Sequence, residues 1–471
     1  MEPARDKTIK IAVISDLHVM APQLLKSDGN AFEQYLSRDR KMLRESSEIL
    51  DTLVNDIMEL KPQLVLVTGD LTKDGERASH LLVAEQLRRL TDAGIQVLVV
   101  PGNHDINNPD AREYDGEQAT AVDTITRNEF AQLYRHAGYD EQSRRDSDTL
   151  SYCRDVAPGL TILAIDACMD RLNTFVSRGD ARDHCKTSGN LEASTQQWLV
   201  EQATAATAAG NKVIAMMHHH LVPHFHMEDT LASPYMVDDA RQLCQRLINA
   251  GVHVIFTGHL HISDISQTSM SEGSMVEVAT AAAVGYPCQW RVATCNTATG
   301  KMQLRSVTLH SLPSDPDFGE RARDAFARCI PTMTRGVLTR YWPEISQAVE
   351  GYRAKHSYVM RFVDIPGTPD AIADLLLRHL QAPVTQAYIA FAEGNEGGSD
   401  NRQLIEQLIN GVDKVVDQTV RGILKPLVKA ALHLRIYGIF KLVLRSILED
   451  LNDISTRHET VINDHTAIIS L

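Results

Sequence analysis

The sequence predicts an α/β fold followed by a C-terminal all-α domain. Short apolar runs of five to seven residues, most of them rich in Val, Ile and Leu, alternate with segments of helical length. Such runs are typical of buried strands, and their alternation with helices is typical of layered α/β structures. A third observation, the nearly continuous helical pattern after residue 317, predicts the second domain.

The predicted strands and helices follow one another in chain order. The first six strands are Ile9–Ser15, Leu64–Thr68, Gln96–Val100, Leu160–Ile165, Val213–Met217 and Val252–Thr257. The helices are Asp39–Leu60, Glu76–Ala93, Ser194–Ala209 and Asp238–Ala250. Ser194–Gln197 is predicted to form a capping box, and Gly94 and Gly210 are predicted to end helices. Further strands are predicted over Met275–Ala279, Arg291–Cys295 and Met302–Thr308.

The chain is predicted to divide near His310. Residues 311–317, with the sequence SLPSDPD, have the Pro, Ser and Asp content typical of a linker. We therefore expect one layered domain over residues 1–310 and a helical accessory domain over residues 311–471. Prolines are expected to break the helices of the second domain at Pro331, Pro343, Pro366, Pro369 and Pro383.

Composition narrows the function classes. The formal net charge of −14 argues against a protein that coats nucleic acid, because that binding mode needs clustered Lys and Arg. The seven cysteines form no CxxC pair, which argues against a zinc ribbon and favours free thiols. No apolar run fits a signal peptide or a membrane span, so we expect a cytoplasmic protein. The histidines are clustered, since eight of the 19 fall within residues 218–261.

Metal-type ligands follow five of the predicted strands. They are Asp16 and His18, then Asp70, then Asn103 with His104 and Asp105, then His218–His220, then His259 and His261. The carboxyl ends of strands in α/β sheets meet at the ligand crevice, so these five segments are expected at one edge. Imidazole, carboxylate and amide oxygen together suit Mn, Fe or Zn better than Ca or Mg. The five segments together therefore predict a metal site, which an isolated DxH or GHxH would not.

The ordered set DxH, GD, GNHD, a later His and GHxH resembles the calcineurin-like metallophosphoesterase family. The resemblance spans about residues 9–262, and it implies a pair of packed mixed β-sheets flanked by helices, with two metals at the sheet edge. The implied ligands are Asp16, His18 and His261 for one metal, Asn103, His218 and His259 for the other, and Asp70 as the bridge. His104 corresponds to the family's histidine that contacts the scissile phosphate.

The chemistry implied by this resemblance is phosphoester hydrolysis. Two divalent ions, Mn²⁺ and/or Fe²⁺/Fe³⁺ with Zn²⁺ as an alternative, would acidify a bridging water, and the hydroxide would attack phosphorus. A small phosphodiester is the favoured substrate. A weaker resemblance, around Asp39–Leu43 and Gly285–Pro287, is to bacterial class III cyclic-nucleotide phosphodiesterase-like members, so a cyclic nucleotide is one candidate.

Other function classes are weighed against this one. A phosphomonoesterase or nucleotidase with the same site is the main alternative. A protein phosphatase is disfavoured because Gly69–Gly75 lacks the Arg of the GDxxDRG element. A non-catalytic scaffold is disfavoured because no ligand position is missing.

Several side-chain roles remain open. His218 is favoured over His219 as the ligand, because the first of the two adjacent histidines has that role in the family. Asp105 is expected to accept a hydrogen bond from His104, or else to cap a local turn. The candidate substrate contacts are His219, His224 and Tyr286, each of which could instead be a packing residue. Arg38, Arg40 or Lys41 could reach a phosphate, although solvated charges are the simpler interpretation.

The segment Gln418–Leu448 has six basic residues, no acidic residue and apolar residues at helical spacing. We expect it to pack within its own domain or to mediate a homodimer. Binding to a membrane surface is less favoured, because Pro426 and Gly438 would interrupt the helix.

Overall fold

The computed structural model describes residues 8–174, 185–226, 228–394, 401–420, 426 and 462–471. Two mixed sheets form its centre. The first contains, in spatial order, β16 (Ile462–Asn463), β17 (Thr466–Ser470), β15 (Lys301–Thr308), β14 (Gln289–Asn296), β1 (Thr8–Ile14), β3 (Leu64–Val67) and β4 (Gln96–Val99). The second contains β12 (Asp264–Met270), β13 (Gly273–Ala279), β11 (Val252–Thr257), β10 (Lys212–Met217), β9 (Leu160–Ile165), β8 (Tyr152–Ala157) and β7 (Arg144–Arg145). A small third sheet contains β2 (Leu25–Ser27), β5 (Arg112–Asp115) and β6 (Gln118–Ala121).

Helices cover these sheets and dominate the C-terminal region. The first group is α1 (Asn30–Leu36), α2 (Ser46–Leu60), α3 (Arg77–Asp92), α4 (Arg127–Leu133), α5 (Ala193–Ala208), α6 (Glu228–Leu231) and α7 (Ala240–Asn249). The second group is α8 (Phe318–Arg340), α9 (Trp342–Lys355), α10 (Ser357–Met360), α11 (Pro369–Glu393) and α12 (Asn401–Thr419).

The main core lies between the two large sheets. Side chains alternate between the two faces of each strand, so every second residue of a strand points into this core. On β10, Ile214 and Met216 belong to the cluster shared with the first sheet. Their neighbours Ala215 and Met217 pack instead with residues of α5 and α7. Both faces of β10 are therefore buried, which explains why its sequence is an uninterrupted apolar run.

The central strands of each sheet are parallel, which fixes where the site forms. In the first sheet β1 pairs in parallel with β3, and β3 with β4. In the second sheet β10 pairs in parallel with both β9 and β11. Within each sheet the carboxyl ends of these strands lie at one edge. The fold class predicted from the sequence is confirmed, and the nine predicted strands agree with observed ones to within two residues at each end. The other strands of the described residues were not predicted.

Two predictions for the N-terminal part were wrong. The helix predicted over Asp39–Leu60 begins only at Ser46, because Lys41 forms an antiparallel bridge with Gly285 and Leu43–Glu45 forms a short 3-10 helix. The capping box does not form, since α5 begins at Ala193 without a side-chain cap. The hydroxyl of Ser194 donates instead to Asp148 at 2.8 Å. Gly94 and Gly210 do follow helices with positive φ, as predicted.

The C-terminal part also differs from the prediction. Pro331 lies inside α8 and Pro383 inside α11, so neither proline ends its helix, and the two helices pack against each other. The last residues are not helical, because β17 pairs antiparallel with β15 and extends the first sheet. The described part of the region from residue 311 onward is therefore mainly helical, but its last residues belong to the first sheet.

Within the described ranges, no helix is both long and apolar enough to cross a membrane. Most of the basic segment Gln418–Leu448 lies outside the described residues. The cytoplasmic location and the homodimer remain predictions.

Candidate metal centre and active site

The loops that follow the strands are joined by backbone hydrogen bonds. Asp16 N donates to Gly69 O at 3.1 Å and His18 N donates to Asp70 O at 2.9 Å, which links the ends of β1 and β3. Across the sheets, His259 N donates to the carboxylate of Asp16 at 3.0 Å. These contacts bring the predicted segments together, although they are up to 243 residues apart in the chain.

Five of the predicted ligands have left-handed backbone conformations. Asp16, His18, Asp70, His259 and His261 have φ between 37° and 72°. Residues other than glycine rarely adopt such angles, and each costs about 1–3 kcal/mol, so strain of this kind concentrates at functional sites. These backbone conformations form sharp turns. Within DxH, and likewise within GHxH, the turn directs both ligand side chains toward one place.

Glycine is required at two motif positions, because neighbouring side chains of the site lie too close for a Cβ atom. A methyl group at Gly102 would lie 2.2 Å from Asp70 Oδ1. One at Gly258 would lie 2.0 Å from Ser15 Oγ and 2.4 Å from Asp16 Oδ2. Any larger residue would therefore displace a carboxylate of the site.

The first group of ligand atoms surrounds a common point. His261 Nε2 lies 3.2 Å from Asp16 Oδ1 and 3.1 Å from His18 Nε2. His18 Nε2 lies 3.5 Å from Asp70 Oδ2. All four side chains are buried, and their ligand atoms are close enough to bind one ion.

The second group uses the same oxygen of Asp70. His218 Nε2 lies 3.3 Å from Asp70 Oδ2 and 3.1 Å from Asn103 Oδ1. His218 Nδ1 donates to Thr68 O at 2.9 Å, which fixes the tautomer that presents Nε2 to the site. His259 Nε2 faces the carbonyl groups of Thr187 and Pro234, so its Nδ1 is the nitrogen left for the site. We call these seven residues the Asp70 centre; they are Asp16, His18, Asp70, Asn103, His218, His259 and His261.

The Asp70 centre fits two divalent cations. His18 Nε2 and His261 Nε2 face each other beside the carboxylates of Asp16 and Asp70, and among the described residues no donor satisfies all these lone pairs at once. The pKa of His18 and of His259 lies well below 6.5, so both present unprotonated nitrogens. Burial is the largest cause of each shift, and the charge of a neighbouring side chain is the next largest. Burial would also lower the pKa of His218, but Asp70 raises it to about 9, so a proton competes with a metal there.

His104 is the most accessible histidine of the site. Its side chain is 27% exposed, whereas that of Asp70 is 1% exposed. The ring lies edge-on to that of His18, with 4.9 Å between centroids. Burial lowers the pKa of His104, but Asp70 and Asp74 outweigh this effect and the net shift is upward.

Asp74, rather than Asp105, orients His104. His104 Nδ1 donates to Asp74 Oδ1 at 2.9 Å, which leaves Nε2 for the substrate side. The expectation that Asp105 accepts this proton was wrong. Its carboxylate instead accepts from the backbone of Gly102 at 2.8 Å and of Thr72 at 2.9 Å, as in the local-turn alternative. Burial and Asp70 together raise the pKa of Asp105 to about 7.

The sequence-based prediction missed Asp74, although the sequence contains a signal for it. Asp74 follows Asp70 by four residues, within the same Gly69–Gly75 run. Its other oxygen is bound by Lys73, whose ammonium is fully buried. Although burial alone would raise it, Lys73 and His104 hold the pKa of Asp74 below its usual value.

The three candidate substrate contacts have other partners. His219 is buried and its Nε2 donates to Thr187 O at 2.9 Å. His224 is 2% exposed and both its nitrogens face carboxylates, so its expected role in substrate binding was wrong. Tyr286 bonds Glu393 through its hydroxyl and packs its ring 5.9 Å from Phe326, which favours the packing alternative.

His224 belongs to a second buried group of histidines and carboxylates. We call it the Glu277 cluster, and its members are His220, His224, Glu228, Asp264 and Glu277. His220 Nδ1 faces Glu228 Oε1 at 2.7 Å, and its Nε2 donates to Gly258 O at 2.8 Å. Glu277 accepts from the backbone of Leu221 and of Val222. The cluster thus supports both loops that provide histidines to the Asp70 centre.

The fold and the site define a class of protein, the dinuclear metallohydrolases built on paired mixed sheets. The model of one family, described as calcineurin-like phosphoesterase, matches residues 9–263, more than half of the chain. The chain belongs to this family, and the family resemblance inferred from the sequence is confirmed.

Individual relatives are more distant. A probable cyclic nucleotide phosphodiesterase of Pseudoalteromonas sp. (strain SM9913) is 24% identical over 254 residues, which are 54% of this chain and 71% of that protein. The crystal structure of a dimetal phosphatase from Danio rerio aligns with a TM-score of 0.44 at 16% identity, over 64% of this chain and 96% of that chain. A phosphopantetheinyl hydrolase from Mycobacterium tuberculosis aligns with a TM-score of 0.28 at 14% identity, over 59% and 91% of the two chains.

Proposed function

We propose that this protein is a dinuclear metal-dependent phosphodiesterase that hydrolyses a small phosphodiester, with a cyclic nucleotide as one candidate. The observation that supports this proposal best is a carboxylate oxygen of Asp70 that lies close to both groups of ligands. Asp70 Oδ2 lies 3.5 Å from His18 Nε2 of one ligand group and 3.3 Å from His218 Nε2 of the other. A short bridging carboxylate of this kind is what two ions a few ångströms apart require.

The donor set suggests the ions. Asp16, His18 and His261 would hold one, Asn103, His218 and His259 the other, and Asp70 both. Imidazole-rich sets with oxygen ligands suit Mn²⁺, Fe²⁺/Fe³⁺ or Zn²⁺. When bound, such ions acidify a water molecule and neutralise charge on the phosphate.

The protein's own residues orient the reaction. Burial opposes ionisation of Asp70, but His218 and the neighbouring histidines hold its pKa well below 3.8, so it remains a carboxylate. His104 presents Nε2, because Asp74 occupies Nδ1. A proton on that nitrogen can pass to the leaving oxygen, or it can stay and stabilise charge on the phosphoryl oxygens.

Two observations support a diester over a monoester. The probable cyclic nucleotide phosphodiesterase named above matches over 54% of this chain. In addition, Gly69–Gly75 offers no cation to a second negative charge on the substrate, because Lys73 is buried against Asp74 and Glu76.

A hydrolysis panel at constant Mn²⁺ tests the proposal. Its substrates are bis(p-nitrophenyl) phosphate, p-nitrophenyl phosphate, cAMP, cGMP, 2′,3′-cyclic nucleotides and glycerophosphodiesters. We expect at least one diester to give a higher kcat/KM than the monoester. A monoester rate above that of every diester would establish the phosphomonoesterase alternative. Turnover by metal-stripped protein in chelator would contradict the mechanism.

A further inference from the structure

The loop that joins β11 to β12, residues 258–263, provides two of the predicted ligands, and we call it the GHxH loop. These two histidines are held differently. His259 Nε2 faces the carbonyl groups of Thr187 and Pro234. His261 Nδ1 is buried and has no hydrogen-bond partner among the described residues. A metal-bound histidine is normally oriented by a hydrogen bond to its second ring nitrogen, so the position of His261 depends on the loop itself.

The end of α11 holds this loop through the backbone. Ser263 N, at the end of the loop, donates to Ala392 O at 3.2 Å. Gly394 then ends the helix with φ of 69°, a left-handed conformation that favours glycine. A methyl group at Gly394 would lie 2.1 Å from Ser263 O and 2.6 Å from Cβ of Asp464. The peptide groups on both sides of Ser263 are therefore in close contact with the end of α11.

Side chains of the loop pack against the same end of the helix. Leu260 and Ile262, on either side of His261, are buried in one apolar cluster, and Phe391 of α11 packs against this cluster. The ring of Phe391 lies edge-on to that of Phe225, with 5.5 Å between centroids. Because the residues before and after His261 both belong to the cluster, a shift of the histidine backbone would disrupt this packing.

Two further contacts hold the loop and the residues next to it. Arg40, one of the three cations considered for phosphate binding, donates from Nη2 to Leu260 O at 2.9 Å. Just beyond the loop, Ile265 N donates to Asp464 Oδ1 at 2.9 Å, in the turn between β16 and β17. The loop is thus held by the segment before α2, by α11 and, at its end, by the C-terminal hairpin.

We propose that the end of α11 positions His261 for metal binding, with Phe391 and Gly394 as positioning residues. The helical region that begins with α8 then completes the first ligand group, in which Asp16 and His18 come from the layered domain. The second ligand group is less sensitive to α11, because each of its histidines has a protein partner on the other ring nitrogen. The inference rests on the proposed function only in that His261 binds one of two ions.

The test measures the affinity for each ion and does not depend on turnover. Equilibrium dialysis against Mn²⁺, followed by metal analysis, is applied to the full-length protein and to Gly394→Ala, Phe391→Ala and Phe391→Leu. We expect both alanine variants to weaken the binding of one ion roughly 10- to 100-fold, the usual cost of losing the support of a metal-bound histidine. The other ion should bind as in wild type. Phe391→Leu keeps an apolar side chain in the cluster and should recover most of the affinity.

Two variants of the helical region that do not contact the loop serve as controls. Gly367→Ala adds a methyl group at a position where no atom lies within 4 Å. Leu408→Ala loosens a cluster whose members among the described residues all belong to α11 and α12. Both controls should bind two ions as wild type does. Thermal unfolding of every variant measures the stability that each substitution removes, so that a loss of metal can be compared at equal loss of stability.

The outcomes separate this proposal from the proposed function. Unchanged binding of both ions in Gly394→Ala and Phe391→Ala would overturn the positioning role, and so would equal weakening of both ions or the same loss in Leu408→Ala. If Gly394→Ala does not fold, Phe391→Ala and its leucine counterpart decide the question. A hydrolysis panel without diesterase activity, together with the expected loss of one ion, would reject the proposed substrate class and leave the role of α11 intact.

Discussion

The Asp70 centre and the Glu277 cluster are built from the same residue types but arrange them differently. In the Asp70 centre several atoms converge, so that His18 Nε2 and His261 Nε2 face each other at 3.1 Å. In the Glu277 cluster each imidazole nitrogen has its own oxygen, as His220 has Glu228 Oε1 at 2.7 Å and Gly258 O at 2.8 Å. A single proton can form a hydrogen bond between one nitrogen and one oxygen. Several lone pairs that converge on one point need a metal ion instead. We therefore interpret the Glu277 cluster as a protonated network, although three of its residues are close enough to hold an ion.

The backbone differs in the same way. Asp16, His18, Asp70, His259 and His261 have positive φ, and no member of the Glu277 cluster does. Of these two groups, only the Asp70 centre contains such strained residues, and the unstrained Glu277 cluster supports the loops that carry them. Composition alone does not distinguish the two groups, because both are buried and rich in histidine and carboxylate.

The largest expected effect comes from removing the shared oxygen. Asp70→Ala should lower kcat roughly 10³-fold or more, because both ions lose a ligand. Metal analysis should show fewer than two ions per chain. Glu277→Gln is the matched control, since it removes a buried carboxylate charge from the other group. Loss of bound metal in Glu277→Gln but not in Asp70→Ala would reverse our assignment of the two sites.

The adjacent histidines after β10 give the next largest effect. His218→Ala should lose one ion per chain and most activity, because its Nε2 faces Asp70 and Asn103. His219→Ala should keep both ions, since its ring donates to Thr187 O. Inductively coupled plasma mass spectrometry of the purified variants measures this directly. The same loss in both variants would mean that His219 is also a ligand.

Removing the partner of His104 should have a smaller effect. Asp74→Asn should lower kcat about 10- to 100-fold and leave the metal content unchanged, as expected for loss of an orienting carboxylate. In a double-mutant cycle, Asp74→Asn should add little to His104→Ala, because the two act as one unit. Fully additive losses would show that Asp74 acts independently of the histidine.

The sequence was sufficient to predict nine of the seventeen strands in the described residues and to identify the candidate ligands that follow five of them. Short apolar runs such as Val213–Met217 are specified locally, and a DxH or GHxH directly after a strand lies at the sheet edge by geometry alone. The choice between Asp74 and Asp105 is not local. It depends on Lys73, which is held by Asp74 and Glu76 beneath the rings of Tyr35 and Tyr114.

Other features depended on contacts between distant residues. The pairing of Lys41 with Gly285 prevents a helix that the local pattern favoured. The pairing of β17 with β15 joins residues more than 150 positions apart, and no local pattern marks it. Such long-range pairing is the part of the fold that a single sequence does not reveal.

The smallest effect on catalysis is expected within the Glu277 cluster, where the consequence should be in stability. Burial lowers the pKa of His224, but Asp264 and Glu277 raise it well above 6.5. A raised pKa in the folded state means that this ion pairing contributes fully below pH 6.5 and is lost as pH rises through the folded pKa. His224→Gln should therefore lower the free energy of unfolding by about 3 kcal/mol near pH 6, since it removes the cation that both Asp264 and Glu277 contact. Urea unfolding should show this difference shrinking at alkaline pH, with two metals still bound. A difference independent of pH, or loss of metal, would mean that His224 is not a protonated support of the Asp70 centre.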